Sequence, residues 1–219
     1  MMHLDPFRLS LAFGPVAVYL VLLGAMNLAR RPFLVSGMRD VTALGLAISG
    51  FVIVGPITLF FPEAAAAHFG PYIWAFLFAL YALCLVLVIL LLRPRLIIYN
   101  IPADHLRPIL AELVDHIDPE ARWAGDSLML PGLGVQLHIE NLAWMRNVSL
   151  VAAGPHQDYQ GWRRLEQALA AALAHVEVSP NARGATLLSM GLMIGAALCY
   201  SIALDPQAVA RAMFDMFQL

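Results

Sequence analysis

Five histidines fall between residues 96 and 182 of this 219-residue chain: His105, His116, His138, His156 and His175. Imidazole titrates near neutrality, so each is suited to metal ligation or proton transfer. Two lie beside carboxylates, in His138-x-Glu140 and His116-x-Asp118. Either pair offers two metal ligands or an acid–base pair. A zinc centre needs more donors, and neither HExxH nor a cysteine partner is present. Residues 138 and 140 share one face of a period-two strand, so a solvated polar face is the simpler reading. Arg146, Arg163 and Arg164 are candidates for contact with an anion or a protein partner. Pairing of Arg163 or Arg164 with Glu166 or Asp158 on a solvated helix is the simpler alternative. Gly132-x-Gly134 is too short for a dinucleotide fingerprint, and the P-loop and GxSxG patterns are absent. The expectation is therefore no catalytic residue, no cofactor and no metal site, which leans away from an enzyme.

All thirteen basic residues are arginine. Bidentate anion recognition is one reading. Coding bias, consistent with the many alanines, is the simpler one. The two cysteines, Cys84 and Cys199, both fall in apolar runs. They suit neither a disulfide framework nor a CxxC metal site, and read as small buried hydrophobes.

The elements around these residues are dominated by membrane-like stretches. The chain is 61% hydrophobic and 13% charged, against about one quarter charged in soluble domains. Tyr72 to Leu92 holds no charge and ends at Arg93-Pro94-Arg95. At ~1.5 Å per residue it reaches about 31 Å, the thickness of a bilayer's hydrocarbon core. Residues 9–29 are too long for a signal-peptide core and end at Arg30-Arg31. Gly14-Pro15 bends this run near its start. The second span covers 41–61, with Gly55-Pro56 as its kink. A loop over 62–71 follows. The fourth span lies within 183–204. Gly45 and Ser49 form one close-packing face, Gly191 and Gly195 another. The interiors of the spans hold no Asp, Glu, His or Arg, which argues against a coupled transporter. Asn27, Thr42, Ser49, Thr58, Tyr81, Thr186, Ser189 and Tyr200 are read as interhelical hydrogen bonders.

Arginine placement sets the orientation. Arg30, Arg31, Arg39, Arg93, Arg95 and Arg183 fall on one side, Arg8 and Arg211 on the other. The positive-inside rule makes the six-arginine side cytoplasmic, in a cell inner (cytoplasmic) membrane. Both termini then lie outside and residues 96–182 inside. The tail, residues 205–219, reads as an amphipathic interfacial helix capped by Asp205, with Val209, Met213, Met216 and Phe217 on one face.

The insert at 96–182 carries five Arg against ten acids. Its acidity argues against nucleic acid. Residues 96–101, 127–130, 135–140 and 148–152 read as strands. Helices are expected over about 104–117 and 158–176. The second requires Trp162, Leu165, Leu169, Leu173 and Val176 on one face. Pro108 fits only if it lies in or near the first turn of its helix. Of Trp123, Trp144 and Trp162, at least Trp162 belongs to a core. The expected fold is a polytopic α-helical membrane protein, four transmembrane helices with an inserted small α+β domain. That domain runs β-α-β-β-β-α, an antiparallel sheet with two helices on one face.

The leading functional expectation is a non-enzymatic integral membrane component. Its acidic cytoplasmic domain docks a partner or regulates a larger assembly. Expected partners are membrane lipid and other membrane subunits, or a homo-oligomer. A small oligomeric channel or transporter gated by the domain comes second. An interfacial membrane enzyme comes third; it needs His138, Glu140 and Arg146 to converge.

Overall fold

Residues 6–57, 62–70, 72–142 and 145–217 are described by the computed structural model. Thr58, Trp144 and the end of the second expected span lie outside the described residues. The chain divides into two compact units. One comprises Met1–Leu23, Val41–Leu91 and Leu187–Leu219; the other comprises Gly24–Asp40 and Leu92–Thr186.

Among the described residues, four helices are long and apolar enough to cross a membrane. They are α1 (Pro6–Leu28), α2 (Gly37–Val52, continued by a π-helical turn at Ile53–Ile57), α4 (Tyr72–Leu91) and α7 (Ala182–Leu204). Their large apolar side chains face outward: Leu83, Leu90 and Met193 are each at least 65% exposed. A soluble helix would hide such residues; a lipid-facing helix need not. Pro56 lies in the π-helical turn, which accommodates the backbone disruption expected of Gly55-Pro56. Pro15 sits inside a continuous α1. The expected loop after the second span instead carries a short helix, α3 (Glu63–Phe69).

Close backbone approach holds the first unit together. A Cβ at Gly50 would collide with the Leu11 carbonyl oxygen of α1. Phe13 and Phe51 meet edge to face beside it, with centroids 4.9 Å apart. A Cβ at Gly45 would strike Leu85 of α4, and Tyr81 Oη donates to the Gly45 carbonyl at 2.6 Å. Gly191 faces Ala17 and Val21 of α1. The last helix, α8 (Pro206–Phe217), is capped by Asp205, whose Oδ1 accepts from Ala208 N at 2.9 Å.

The second unit is built on a six-stranded antiparallel sheet in the order β1-β2-β6-β5-β4-β3. Its strands are β1 (Phe33–Ser36), β2 (Arg95–Tyr99), β3 (Arg122–Ala124), β4 (Ser127–Leu130), β5 (Val135–Leu142) and β6 (Asn147–Ala152). Two features differ from the sequence reading. The segment between the first two expected spans, to which no element was assigned, supplies β1, which pairs Phe33 with Tyr99 and Val35 with Ile97. Residues 122–124, assigned to no element, form the opposite edge, so the insert runs β-α-β-β-β-β-α. Both added strands are short and lie at sheet edges, where alternation has too few residues to register.

Alternation carries one apolar face across the sheet: Leu96, Ile98, Leu128, Leu130, Val135, Leu137, Ile139, Val148, Leu150 and Ala152, all within one core. Helices α5 (Ala103–Ile117) and α6 (Tyr159–Leu173) close that face with Leu106, Leu110, Val114, Trp162, Leu165 and Leu169. Val176 lies beyond α6 but still packs against the core. Pro108 is the sixth residue of α5, beyond the first turn, and the helix continues through it. Pro108 is exposed, so the carbonyl left without an N–H partner lies on the water-facing side.

Candidate functional site

Four asparagines are buried in the second unit, Asn27 and Asn100 at 0% exposure and Asn147 and Asn181 at 6%. They meet where α1 ends, where β2 ends, at the β5–β6 turn and where α7 begins. A helix leaves its last carbonyls without intrahelical donors. Asn181 N donates to the Asn27 carbonyl and Val178 N to the Arg30 carbonyl, both at 2.9 Å. Asn100 Nδ2 donates to the Ala29 carbonyl at 2.6 Å. The backbone of the α6–α7 linker and the end of β2 thus supply the donors that the C-terminal end of α1 lacks.

The same residues fasten the β5–β6 turn. Asn100 N donates to Asn147 Oδ1 at 3.2 Å, and Asn181 Nδ2 donates to the Met145 carbonyl at 2.9 Å. Asn181 Oδ1 accepts from Arg183 N at 3.1 Å and caps α7. Arg146 Nη1 donates to the Ser179 carbonyl at 3.1 Å and to its hydroxyl at 3.3 Å. Asn100 and Arg146 both hold a left-handed backbone, at φ 62° and 55°. Asparagine tolerates this region; arginine does so at a cost of ~1–2 kcal/mol. Primary amides do not titrate in the physiological range. This junction joins chain segments through neutral amides and backbone groups.

A second polar contact lies at the β1–β2 edge. Tyr99 Oη donates to Asp40 Oδ1, and Arg95 Nη2 reaches Asp40 Oδ2 at 3.4 Å. Asp40 belongs to the first turn of α2 and neutralises one of the arginines that follow α4. Gly37 admits the Arg95 stem, which a Cβ there would strike.

The residues singled out for chemistry stay apart. His138 Nδ1 pairs with Ser127 Oγ at 3.1 Å on the exposed side of the sheet, across the β4–β5 register. Glu140 shares that side and lies opposite Ser149. Arg146 is engaged with Ser179 in the junction. His116 Nδ1 bonds the carbonyl of Glu112 within its own helix. Buried Asp118, 2% exposed, accepts from Glu120 N at 3.2 Å and Gly132 N at 2.7 Å, so it clamps two turns. Among the described residues no three His, Cys, Asp or Glu side chains gather as a metal set. Arg163 and Arg164 are exposed on α6, and Asp158 caps that helix by accepting from Gln160 N at 2.9 Å. Trp162 is core; Trp123 is 38% exposed.

Of the packing glycines, Gly45 and Gly191 make close approaches, while a Cβ at Gly195 would meet nothing within 4 Å. Ser49 Oγ returns to the Leu46 carbonyl of its own helix at 2.8 Å. Gly50 and Gly184 make close approaches that the small-xxx-small spacing does not flag; Gly184 faces Asn27 and Gly24. Of the junction asparagines the sequence reading raised only Asn27. The available signal was an asparagine at the end of three apolar segments: Asn27 near the end of span one, Asn100 after LIIY and Asn181 before span four.

Comparison with protein-family models, with curated proteins and with solved structures finds no match.

Proposed function

We propose that this chain is a non-enzymatic integral membrane component whose acidic α+β body docks a protein partner and passes the consequence to its membrane helices. One observation carries this reading: the second unit is assembled from two separate stretches, Gly24–Asp40 and Leu92–Thr186. The ends of α1, α2, α4 and α7 all feed into it. The sequence reading tied the insert to two spans; strand β1 adds the other two. A load on the body then reaches all four helices through the chain itself and through the hydrogen-bonded junction.

The arginine bias supports a cytoplasmic body with both termini outside. The pairing of β1 with β2 supports only the part of this reading that puts Phe33–Ser36 and Arg95–Tyr99 on one side of a bilayer. His138 and Glu140 share the exposed side of β5 while Arg146 is engaged with Ser179, an arrangement that favours docking over catalysis. Partner subunits of the same membrane are the expected occupants of the body.

The test is isolation of the full chain in mild detergent. The expected result is a stoichiometric assembly well above the 23.9 kDa of one chain. A chain recovered only as a monomer, from cells expressing it at native level, removes the proposal.

A further inference from the structure

The second unit is electrically neutral as a whole but not evenly so. It carries eleven arginines against eleven acids. Six of those arginines (Arg30, Arg31, Arg39, Arg93, Arg95 and Arg183) cluster at helix ends with Asp40 as the lone acid, while residues 96–182 hold five Arg against ten acids. Within the unit, acids near arginines are used. Arg95 is paired with Asp40, and Arg107 with Asp126. Arg30, Arg31, Arg39 and Arg93 are all exposed and make no side-chain hydrogen bond or ion pair with a described residue.

Their positions follow from the helices. Arg30 and Arg31 come two and three residues after the end of α1, Arg39 is the third residue of α2, and Arg93 comes two residues after α4. These segments are also tied into the unit: Val178 N holds the Arg30 carbonyl, and Asp40, next to Arg39, holds Arg95. We propose that these four guanidinium groups form a contact site for the phosphate of anionic membrane lipids. A guanidinium meets a phosphate bidentately, and an anionic leaflet concentrates phosphate where these residues emerge from the spans. The acidic body is repelled by the same surface. The charge separation therefore orients the unit, basic end to the headgroups and acidic surface to the aqueous side. This inference rests on the membrane-spanning reading given above.

The probe is phosphatidylglycerol against phosphatidylcholine, both presented to the purified full chain in mixed micelles, with retained lipid read by native mass spectrometry. Phosphatidylglycerol retention is expected to exceed phosphatidylcholine retention by on the order of tenfold, and to fall as salt is raised. The combined variant Arg30→Gln, Arg31→Gln, Arg39→Gln and Arg93→Gln loses that preference, while Arg163→Gln with Arg164→Gln on α6 keeps it. Should the fourfold variant fail to fold, the lipid preference of the unaltered chain and its salt dependence decide the matter alone. Equal retention of the two lipids, or a folded fourfold variant that keeps the preference, overturns the proposal. Displacement of phosphatidylglycerol by millimolar inorganic phosphate also overturns it, because the site would then bind free phosphate. A chain that stays soluble without detergent fails differently: it removes the membrane reading itself.

Discussion

At the scale of single residues, Asn100 separates two costs that a substitution usually mixes. Its side chain donates to the Ala29 carbonyl from a site at 0% exposure, and its backbone sits at φ 62°. Asn100→Ala loses the bond, leaves a carbonyl of the α1 end without its donor and keeps a Cβ in the left-handed region without the polar side chain that eases it. Asn100→Gly loses the bond but accepts the backbone freely. Losing the bond is expected to cost ~1–3 kcal/mol in both, and the Ala variant a further ~1 kcal/mol. Thermal unfolding of the full chain in one detergent gives the order native, Gly, Ala. An Ala variant as stable as the Gly variant would show that φ at this position relaxes. Asn181→Ala should be at least as damaging as Asn100→Gly, since Asn181 both caps α7 and bonds Met145. These residues were hard to find in the sequence because burial of a neutral amide leaves no periodic trace. The histidines drew attention through their chemistry alone, and His138 proved to be a cross-strand neighbour of Ser127 on an exposed face.

At the scale of elements, the helix contacts are set by glycines whose roles differ despite similar spacing. A Cβ at Gly50 would enter the Leu11 carbonyl, a backbone atom that cannot swing away, whereas a Cβ at Gly195 would meet open space. Gly50→Ala is therefore expected to push α1 from α2 at a cost of ~1–3 kcal/mol, and Gly195→Ala to change stability by less than about 0.5 kcal/mol. Unfolding midpoints of the two variants in the same detergent check the contrast; equal effects would contradict this α1–α2 packing. The helices themselves were legible. Uninterrupted apolar length located α1, α4 and α7 to within about three residues of the ends described, whereas α2 starts at Gly37, ahead of the expected 41, and the expected end at 61 lies outside the described residues. Period-two alternation located β5, and period-3.6 alternation located α5 and α6. The failures occur where local pattern carries no information. Phe33–Ser36 is a four-residue run that becomes a strand only because β2, some sixty residues later, offers it a partner. Pro108 shows the converse: a local rule confined it to the first turn or its vicinity, and an exposed position let the helix continue through it.

At the scale of the whole molecule, strand β1 draws the segment between α1 and α2 into the sheet of the second unit, and its register is directly testable. Val35 lies opposite Ile97, and Leu34 opposite Ile98. Opposed residues point to the same face with Cβ atoms ~5 Å apart, whereas a shift of one residue puts the two side chains on opposite faces. With Cys84 and Cys199 first replaced by serine, Val35→Cys with Ile97→Cys should close a disulfide on mild oxidation of the full chain in membranes. Val35→Cys with Leu96→Cys should not. The cross-link adds no large strain if the ladder exists, because facing strand positions come close to disulfide geometry. It would show as a mobility shift on a non-reducing gel that thiol reductant reverses. Failure of the 35–97 pair, or equal yield from the 35–96 pair, would release β1 from the sheet. The start of α2 would then be held to the sheet by the Asp40 contacts with Arg95 and Tyr99 alone, while the end of α1 would keep its hydrogen bonds from Asn100, Val178 and Asn181.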